Sequence, residues 1–126
     1  MYKEIDANRQ RTFWLLFIFL IFVIGFGWIL SYTLDAPEFL PLAIIIAIVQ
    51  SWLAYYHSDF IALRASGAVL VPNEGDWKRV HRAVENAAIG AGLPKPRVYF
   101  IDDTAPNAFA TGRDPAHAAI AVTRGL

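Results

Sequence analysis

Three histidines, His57, His81 and His117, are the side chains best suited to metal or proton chemistry in this sequence. No two of them are three or four residues apart, the spacing that brings a pair onto one turn of a zinc-binding helix. A lone histidine on a helix is more often a packing or solvated residue than a ligand. There is no cysteine, which excludes disulfides, thiolate chemistry and cysteine-based metal sites. These residues therefore provide no catalytic residue and no metal ligand.

Three other groups have residue types that occur in catalytic or cofactor-binding sites, but the surrounding sequence does not support such a site. Asp102-Asp103 could act as paired carboxylates, but adjacent residues in an extended segment point to opposite sides, which favours turn formation. Gly90-Ala91-Gly92 follows a predicted helix and lacks the strand-before, helix-after context of a dinucleotide-binding loop. Ser66 has no convincing histidine partner for nucleophilic catalysis.

The distribution of charge divides the 126 residues into two parts. Apolar residues make up 56% and charged residues 17% of the sequence, against about 45–50% and about 25% in soluble domains. We expect a membrane anchor at residues 1–58, with transmembrane helices at 12–34 and 39–56, followed by a polar domain at 59–126. The formal net charge is zero and no basic stripe stands out, so nucleic acid is not an expected partner.

Two hydrophobic segments are long enough to cross a lipid bilayer. The first, residues 12–34, would span about 34 Å as a helix, against a hydrocarbon core of ~30 Å. Its 15 Leu, Ile, Phe and Val side chains favour insertion by about 5–9 kcal/mol. The second, residues 39–56, has nine such side chains, worth about 3–5 kcal/mol. A core helix in a soluble protein is the alternative, but a membrane hairpin is favoured because the first helix needs a partner.

A four-residue connection, Asp35-Ala36-Pro37-Glu38, joins the two segments and forces them antiparallel. It has no Lys or Arg, whereas the N-terminus has Lys3, Arg9 and Arg11. The positive-inside rule predicts a multi-pass protein of the cell's inner (plasma) membrane, with its N-terminus and C-terminal domain cytoplasmic. The alternative for the first segment, a cleaved signal peptide, fails on length and on the lack of a small-x-small site.

Gln50 is the one strongly polar side chain of the second segment. It could line an ion or substrate path, or it could make an interhelical hydrogen bond worth about 0.6–2 kcal/mol. The hydrogen bond is favoured because transport paths need several convergent polar groups. Gly25 and Gly27 lie opposite in an antiparallel hairpin and would let the backbones approach closely, so we expect Gly25, Gly27 and Gln50 to pack between the helices.

The polar domain has the pattern of a small α+β unit. Residues 58–68 are expected to continue as a helix toward Gly67, and residues 73–76 to supply the N-cap of the next helix. From Trp77 to Ala91, apolar residues recur at helical spacing. The basic face of this helix could contact anionic headgroups, although an ordinary solvated face is favoured. Short turns then predict an antiparallel meander packed on that helix. The predicted strands are residues 97–101, 107–111 and 118–123.

Three groups of short motifs in the polar domain match a known family. The first comprises Ser58-Asp59, Ala62-Leu63-Arg64 and Ser66-Gly67-Ala68. The second comprises Leu93-Pro94 and Pro96-Arg97-Val98-Tyr99. The third comprises Asn107-Ala108-Phe109-Ala110-Thr111-Gly112-Arg113, His117-Ala118-Ala119 and Ala121-Val122-Thr123. With the hairpin and the early Asn8-Arg9 and Arg11-Thr12, the chain resembles the HtpX-type membrane zinc metalloproteases, the HtpX-like heat-shock protease family, over essentially its whole length.

The resemblance implies a cytoplasm-facing zinc metalloendopeptidase that cleaves misfolded or damaged membrane proteins. In that family two histidines of an HExxH helix and a later glutamate bind zinc, and the HExxH glutamate is the general base. No HExxH occurs in this sequence, and family members continue past the equivalent of Gly125-Leu126 before reaching it. His117 matches a motif position that is not a zinc ligand. We therefore expect an N-terminal portion of such a protease that binds no zinc and is inactive alone.

The family also implies which residues border the active cleft. The strand that Asn107–Gly112 resembles lies beside the cleft, and in such proteases an exposed strand edge binds substrate by main-chain hydrogen bonds. Alternation along the strand would instead send Phe109 into the core, and both interpretations stay open. The implied cleft-bordering residues are Asn107, Ala108, Phe109, Ala110 and Gly112.

A second hypothesis is a short two-span membrane protein with a small cytoplasmic interaction domain. Its incomplete sheet could then pair with a full protease. The polar domain is small and has no disulfide, a size at which a core supplies only ~3–5 kcal/mol. A loosely packed, protease-sensitive domain would favour the protease portion, and a well-protected one would favour the interaction domain.

Overall fold

The structure is a computed structural model that describes residues 2–126, with Tyr2 described by its backbone alone. The chain divides into two compact units, one of residues up to Tyr55 and one of Tyr56–Leu126. The helices are α1 (Tyr2–Thr33), α2 (Phe39–Ala65) and α3 (Lys78–Ala91), with 3-10 turns at Gly75–Trp77 and Pro115–His117. The strands are β1 (Val69–Leu70), β2 (Arg97–Ile101), β3 (Ala108–Thr111) and β4 (Ala119–Thr123).

The first unit is a helical hairpin whose large apolar side chains are mostly exposed. Both helices are long and apolar enough to cross a membrane, and only 6% of each apolar window is buried. Helix α1 begins ten residues before Thr12, where the predicted span starts, because the charged N-terminal residues are compatible with helix even where they cannot enter lipid. The connection is short, and Asp35 adopts a positive φ of 49° there.

Small residues mark the closest approach of the two helices in the hairpin. A methyl group at Gly27 would collide with Cβ of Ala43 and lie 3.4 Å from the carbonyl oxygen of Phe39. Ala47, one turn after Ala43 on the same face, is fully buried. Only a glycine at position 27 lets the backbones come this close.

The second unit is a sheet with a helix on each face. The segment of α2 from Tyr56 to Ala65 covers one face, where Leu63, Ala119 and Ala121 form a buried cluster. The α3 helix covers part of the other face, where Val84 meets Val98, which is 1% exposed. The Trp77 and Phe100 rings, with centroids 4.7 Å apart, extend that second cluster. The alternation of side chains along each strand therefore supplies both faces with apolar groups.

The sheet is mixed, so the predicted antiparallel meander is wrong. The strand order is β1-β2-β4-β3, with β2 and β4 parallel and the β1/β2 and β3/β4 pairs antiparallel. The short β1 was not predicted, because two residues carry no measurable alternation. The chain leaves β2 and skips one strand position before forming β3, and β4 then fills the gap. The physical reason is that the β2–β3 connection is tied to the end of β4 rather than closed as a tight turn.

Thr123 holds that connection in place. The backbone N–H of Asn107 donates to Thr123 Oγ1 at 2.8 Å, and that hydroxyl donates to the carbonyl oxygen of Ala105 at 2.7 Å. The backbone N–H of Thr123 donates in turn to the carbonyl oxygen of Asn107 at 3.0 Å. These bonds wrap the loop around the end of β4, which leaves a gap one strand wide between β2 and β3.

Helix α3 packs as its periodicity predicts, but its start differs from the prediction. Gly75–Trp77 form a 3-10 turn capped by Glu74 without a side-chain hydrogen bond, so residues 73–76 do not supply the expected N-cap bond. The turn runs directly into α3 and satisfies backbone groups itself. At the other end Gly92 has a φ of 67° and closes the helix.

Candidate functional site

The strand β3 lies at one edge of the sheet. It pairs with β4 through a register that aligns Phe109 with Ala121, and within residues 2–126 no strand pairs with its other side. Ala108 and Ala110 are exposed, whereas Phe109 packs against the buried cluster under α2. The backbone edge of β3 is therefore available for an added strand, while Phe109 takes the core position that alternation predicts.

Asn107 and Gly112 mark the two ends of this edge strand. Asn107 is exposed, and its backbone is tied to Thr123 by the bonds described above. Gly112 has a φ of 142°, and a Cβ there would lie 2.6 Å from the carbonyl oxygen of His117 and 2.8 Å from Cα of Ala118. The strand is thus anchored at both ends by backbone contacts, and the turn after it requires glycine.

A polar cluster follows β3 directly. It consists of Tyr56, Arg113, Asp114 and His117. Arg113 Nη2 lies 2.8 Å from His117 Nε2, and His117 Nδ1 lies 2.7 Å from Asp114 Oδ1. The Arg113 guanidinium also sits 5.2 Å from the centroid of the Tyr56 ring and donates to the Tyr56 carbonyl oxygen at 3.4 Å. The cluster connects the end of the edge strand to the second unit's segment of α2.

The hydrogen bonds within this cluster lower the pKa of Asp114. The His117 side chain supplies the largest effect, and the backbone N–H of His117 and the nearby Arg113 add to it against the opposing effect of burial. Asp114 also caps the 3-10 turn, accepting from the His117 backbone N–H at 2.9 Å. The carboxylate is therefore held in its charged form as a structural anchor.

An apolar groove of about 250 Å³ lies on the α3 side of the sheet, beside Ala110. Its walls include Ala88, Pro94, Pro115 and Ile120, nearly all of them small or apolar. A larger groove of about 670 Å³ lies further along the same face, lined by Trp77, Phe100 and Val122 among others. The α3 helix thus leaves part of its face of the sheet uncovered.

The three predicted hairpin residues occupy different environments. Gly27 is buried at the helix contact described above. Gly25 is half-buried, with open space where a Cβ would lie. Gln50 is exposed, and its interhelical hydrogen bond stays a prediction. Its position follows Ala43 and Ala47 on the helix, but the apposed helix does not enclose it.

The three histidines occupy different environments. His81 is buried on α3, and its Nε2 donates to the carbonyl oxygen of Val71 at 3.1 Å, since a carbonyl can only accept. His117 belongs to the polar cluster, and His57 lies on α2. Among residues 2–126 no three His, Asp or Glu side chains are grouped closely enough to hold a metal ion.

Sequence reasoning missed the Arg113 cluster as a unit. The local signal was present, because an Asp three residues before a His at a Pro-containing turn is a typical capping pattern. The contact with Tyr56 joins residues 57 positions apart in sequence. No periodicity or spacing rule reports such a contact.

Comparison with known proteins confirms the resemblance to HtpX-type proteases. The family described as Peptidase family M48 matches residues 75–126, which include α3 and the strands β2, β3 and β4. A protein named Protease HtpX homolog from Tropheryma whipplei (strain Twist) is 42% identical over 100% of this chain. Proteins of the same name from Thermoanaerobacter pseudethanolicus and Dictyoglomus turgidum are 39% and 35% identical over 98% and 99% of it.

The chain spans only part of these relatives. It covers 43%, 42% and 41% of the three proteins, about two fifths of their length. Over its whole length the chain is therefore similar to the N-terminal portion of HtpX-type proteases.

Proposed function

We propose that this chain supplies the membrane anchor and the first part of the peptidase domain of a zinc metalloendopeptidase of the HtpX type. The observation that carries the proposal is the similarity to HtpX homologues along the entire chain, together with the match of the M48 peptidase family to the α/β unit. Alone, the chain does not hydrolyse peptides. The zinc chemistry belongs to the part of the relatives that this chain does not match.

The hairpin is the membrane anchor in this proposal. Its two helices are long and apolar enough to span, and their large side chains face outward, where lipid would solvate them. Lys3, Arg9 and Arg11 precede the first apolar segment, which favours a cytoplasmic N-terminus and, after two spans, a cytoplasmic α/β unit. The relatives are named as proteases, which makes protein the substrate class.

The edge of β3 is the substrate-binding element that this chain contributes. An extended peptide would add a strand there through main-chain hydrogen bonds. The edge is free within the described residues, and the contacts of Asn107 and Gly112 hold it at both ends. Ala108 and Ala110 would then face the substrate's side chains with small surfaces, and Phe109 would support the strand from the core.

The uncovered part of the α3 face suits the remainder of a peptidase domain. Its larger groove is walled mainly by apolar side chains, among them Val80, Phe100, Val122 and Leu126. Apolar surface of this kind is costly to expose in water. In the longer relatives we expect further chain to cover it, and in this chain alone we expect the unit to be less protected from hydrogen exchange than it is there.

A chimera tests the proposal. Residues 1–126 would replace the corresponding two fifths of the Tropheryma whipplei relative, and cleavage of a membrane-protein substrate would be measured with and without a zinc chelator. We expect chelator-sensitive cleavage by the chimera and none by residues 1–126 alone. A chimera that enters the membrane and folds but stays inactive beside an active parent protein would contradict the proposal.

The isolated chain provides a second test. Carbonate extraction of membranes would show whether residues 1–126 are integral to the bilayer. Hydrogen exchange would then report on the α/β unit. Strong protection of that unit, combined with an inactive chimera, would instead support the two-span membrane protein with an interaction domain.

A further inference from the structure

We propose that Arg113 and His117 are positioning residues for the peptide-binding edge of β3, and that they hold it in place only while His117 is neutral. The inference rests on the function proposed above for that edge. The polar cluster of Tyr56, Arg113, Asp114 and His117 carries it, because neither the sequence motifs nor the comparisons explain the contacts between these side chains.

The atoms of this cluster fix the protonation of the imidazole. A guanidinium has donors and no acceptor, so at 2.8 Å Arg113 Nη2 must donate to His117 Nε2. That nitrogen therefore carries no proton, and the imidazole proton lies on Nδ1, from which it is donated to Asp114 Oδ1 at 2.7 Å. A second proton on Nε2 would face the guanidinium N–H groups and bring two positive charges together. Protonation of His117 and its bond to Arg113 exclude each other.

The backbone transmits this arrangement to β3. Gly112 connects the last residue of β3 to Arg113 and packs so tightly on the His117 carbonyl and Ala118 that a Cβ would not fit. The His117 backbone N–H is held by Asp114 at 2.9 Å. Arg113 fastens the same turn to α2 through the ring and carbonyl oxygen of Tyr56. Release of Arg113 would therefore free the end of the strand that an added peptide must pair with.

The charges around His117 are few. Asp114 and Arg113 belong to its own turn, and Tyr56 faces Arg113 from α2. From β2, the Arg97 backbone N–H bonds to the Ala118 carbonyl oxygen at 3.1 Å, while its guanidinium is paired with Asp59 of α2 at 2.9 Å. The Arg97 charge is thus already matched. Of the charged side chains in residues 2–126, Asp114 and Arg113 bond to His117, and Arg113 is the one whose bond protonation would break.

Acid should consequently break the hydrogen bond between His117 and Arg113 and leave the one between His117 and Asp114. An imidazolium still donates from Nδ1 to Asp114, but it can no longer accept from Arg113. Protonation of His117 therefore breaks the Arg113 link, and we compare binding at about pH 7.5 and about pH 5. For a partly exposed, charge-assisted hydrogen bond we expect peptide affinity at the β3 edge to fall about fivefold.

The first experiment measures the tautomer in the full chain of 126 residues in detergent micelles. Nitrogen-15 NMR at about pH 7.5 should show His117 as the Nδ1–H form, the less common tautomer of a free imidazole. Arg113→Gln should shift the population toward Nε2–H, whereas the matched control Arg124→Gln, at an exposed ion pair, should not. A His117 imidazole that is Nε2–H in the wild-type chain would overturn the inference.

The second experiment measures peptide binding at two pH values. The probe is an acetylated ten-residue peptide of alternating valine and threonine, titrated against the β3 amide signals. We expect about fivefold weaker binding at the lower pH and in Arg113→Gln, with partial rescue by Arg113→Lys, which restores one donor. His117→Gln should bind weakly and independently of pH. Amide spectra of each variant verify that the unit is folded.

The outcomes separate this inference from the function beneath it. Binding at β3 that is equal at both pH values and unaffected by Arg113→Gln would overturn the positioning role and leave the substrate-binding edge standing. No binding at β3 at the higher pH would overturn the edge itself, and the positioning role with it, even if the tautomer were as expected.

Discussion

In the helical hairpin the large apolar side chains point outward, whereas in the α/β unit they meet in two clusters, one on each face of the sheet. Trp14, Phe22 and Trp28 are each more than half exposed, and the helices touch through Gly27, Ala43 and Ala47. In the α/β unit the larger side chains of Leu63, Val71 and Val98 are almost completely buried. Both regions are rich in apolar residues, but only one of them removes its own apolar surface from water.

The difference agrees with the membrane anchor proposed above. A region that buries its large side chains is stabilised by water, whereas a region that buries mainly glycine and alanine suits lipid around its other side chains. Small residues at a helix contact suit lipid, where close backbone approach replaces hydrophobic burial as the source of attraction.

The substitution Val98→Asp should unfold the α/β unit and leave the hairpin helical. It places an unpaired charge between α3 and the sheet, at a cost of more than about 4 kcal/mol. Hydrogen exchange of the chain in micelles would show loss of protection confined to the second unit. Val69→Asp, at an exposed position of β1, is the matched control. Retained protection in Val98→Asp would mean that this unit has no water-excluding core.

The substitution Gly27→Leu should separate the two helices without removing either from the membrane. The new side chain collides with Ala43, and we expect a loss of about 1–3 kcal/mol in helix association. Distances between spin labels on the two helices would report the separation. Gly25→Leu adds the same bulk where a Cβ meets nothing within 4 Å, so it should leave the distances unchanged. Equal effects of the two substitutions would mean that the helices do not associate through the close contact at Gly27.

The substitution Thr123→Val should destabilise the α/β unit by about 1–3 kcal/mol, because it leaves the Asn107 N–H and the Ala105 carbonyl without their hydroxyl partner. Valine has nearly the same shape as threonine, so the loss of unfolding free energy reports the missing hydrogen bonds. Urea unfolding followed by tryptophan fluorescence would measure it. Thr104→Val, at an exposed loop position, should change the unfolding free energy by less than about 0.5 kcal/mol.

The substitution Asp114→Asn should reduce stability slightly, and only above acidic pH. The folded-state pKa of Asp114 is lowered, so its charge stabilises the fold above the ordinary carboxyl range, and the contribution is lost as the pH falls through the lowered value. Because the side chain is about one third exposed, the effect should stay below about 1 kcal/mol. Wild-type and variant unfolding curves should converge in acid. The control is the substitution Asp103→Asn. The Asp103 carboxylate accepts a similar hydrogen bond from the backbone N–H of Ala105 in its own loop.

Local patterns predicted the elements well and their arrangement poorly. The helix ending before Gly67, the amphipathic α3 ending at Gly92 and the strand Arg97–Ile101 follow from spacing and from residues with positive φ. The mixed sheet does not, because the insertion of β4 depends on hydrogen bonds of Thr123 with residues 16 and 18 positions away. The motif resemblance located the edge strand, and alternation correctly placed Phe109 inward. The Arg113 cluster needed coordinates, since its contacts cross from one element to another.

The position of β4 also dictates the order in which this unit can be built during synthesis. Strands β2 and β3 leave the ribosome first, yet neither pairs with the other, because the place between them belongs to β4. Until Ala119–Thr123 emerges, β3 has no partner strand, and β2 can pair only with the two-residue strand β1. The unit should therefore form in one late step once β4 arrives, and a nascent chain stalled before Ala119 should remain open to proteases and chaperones.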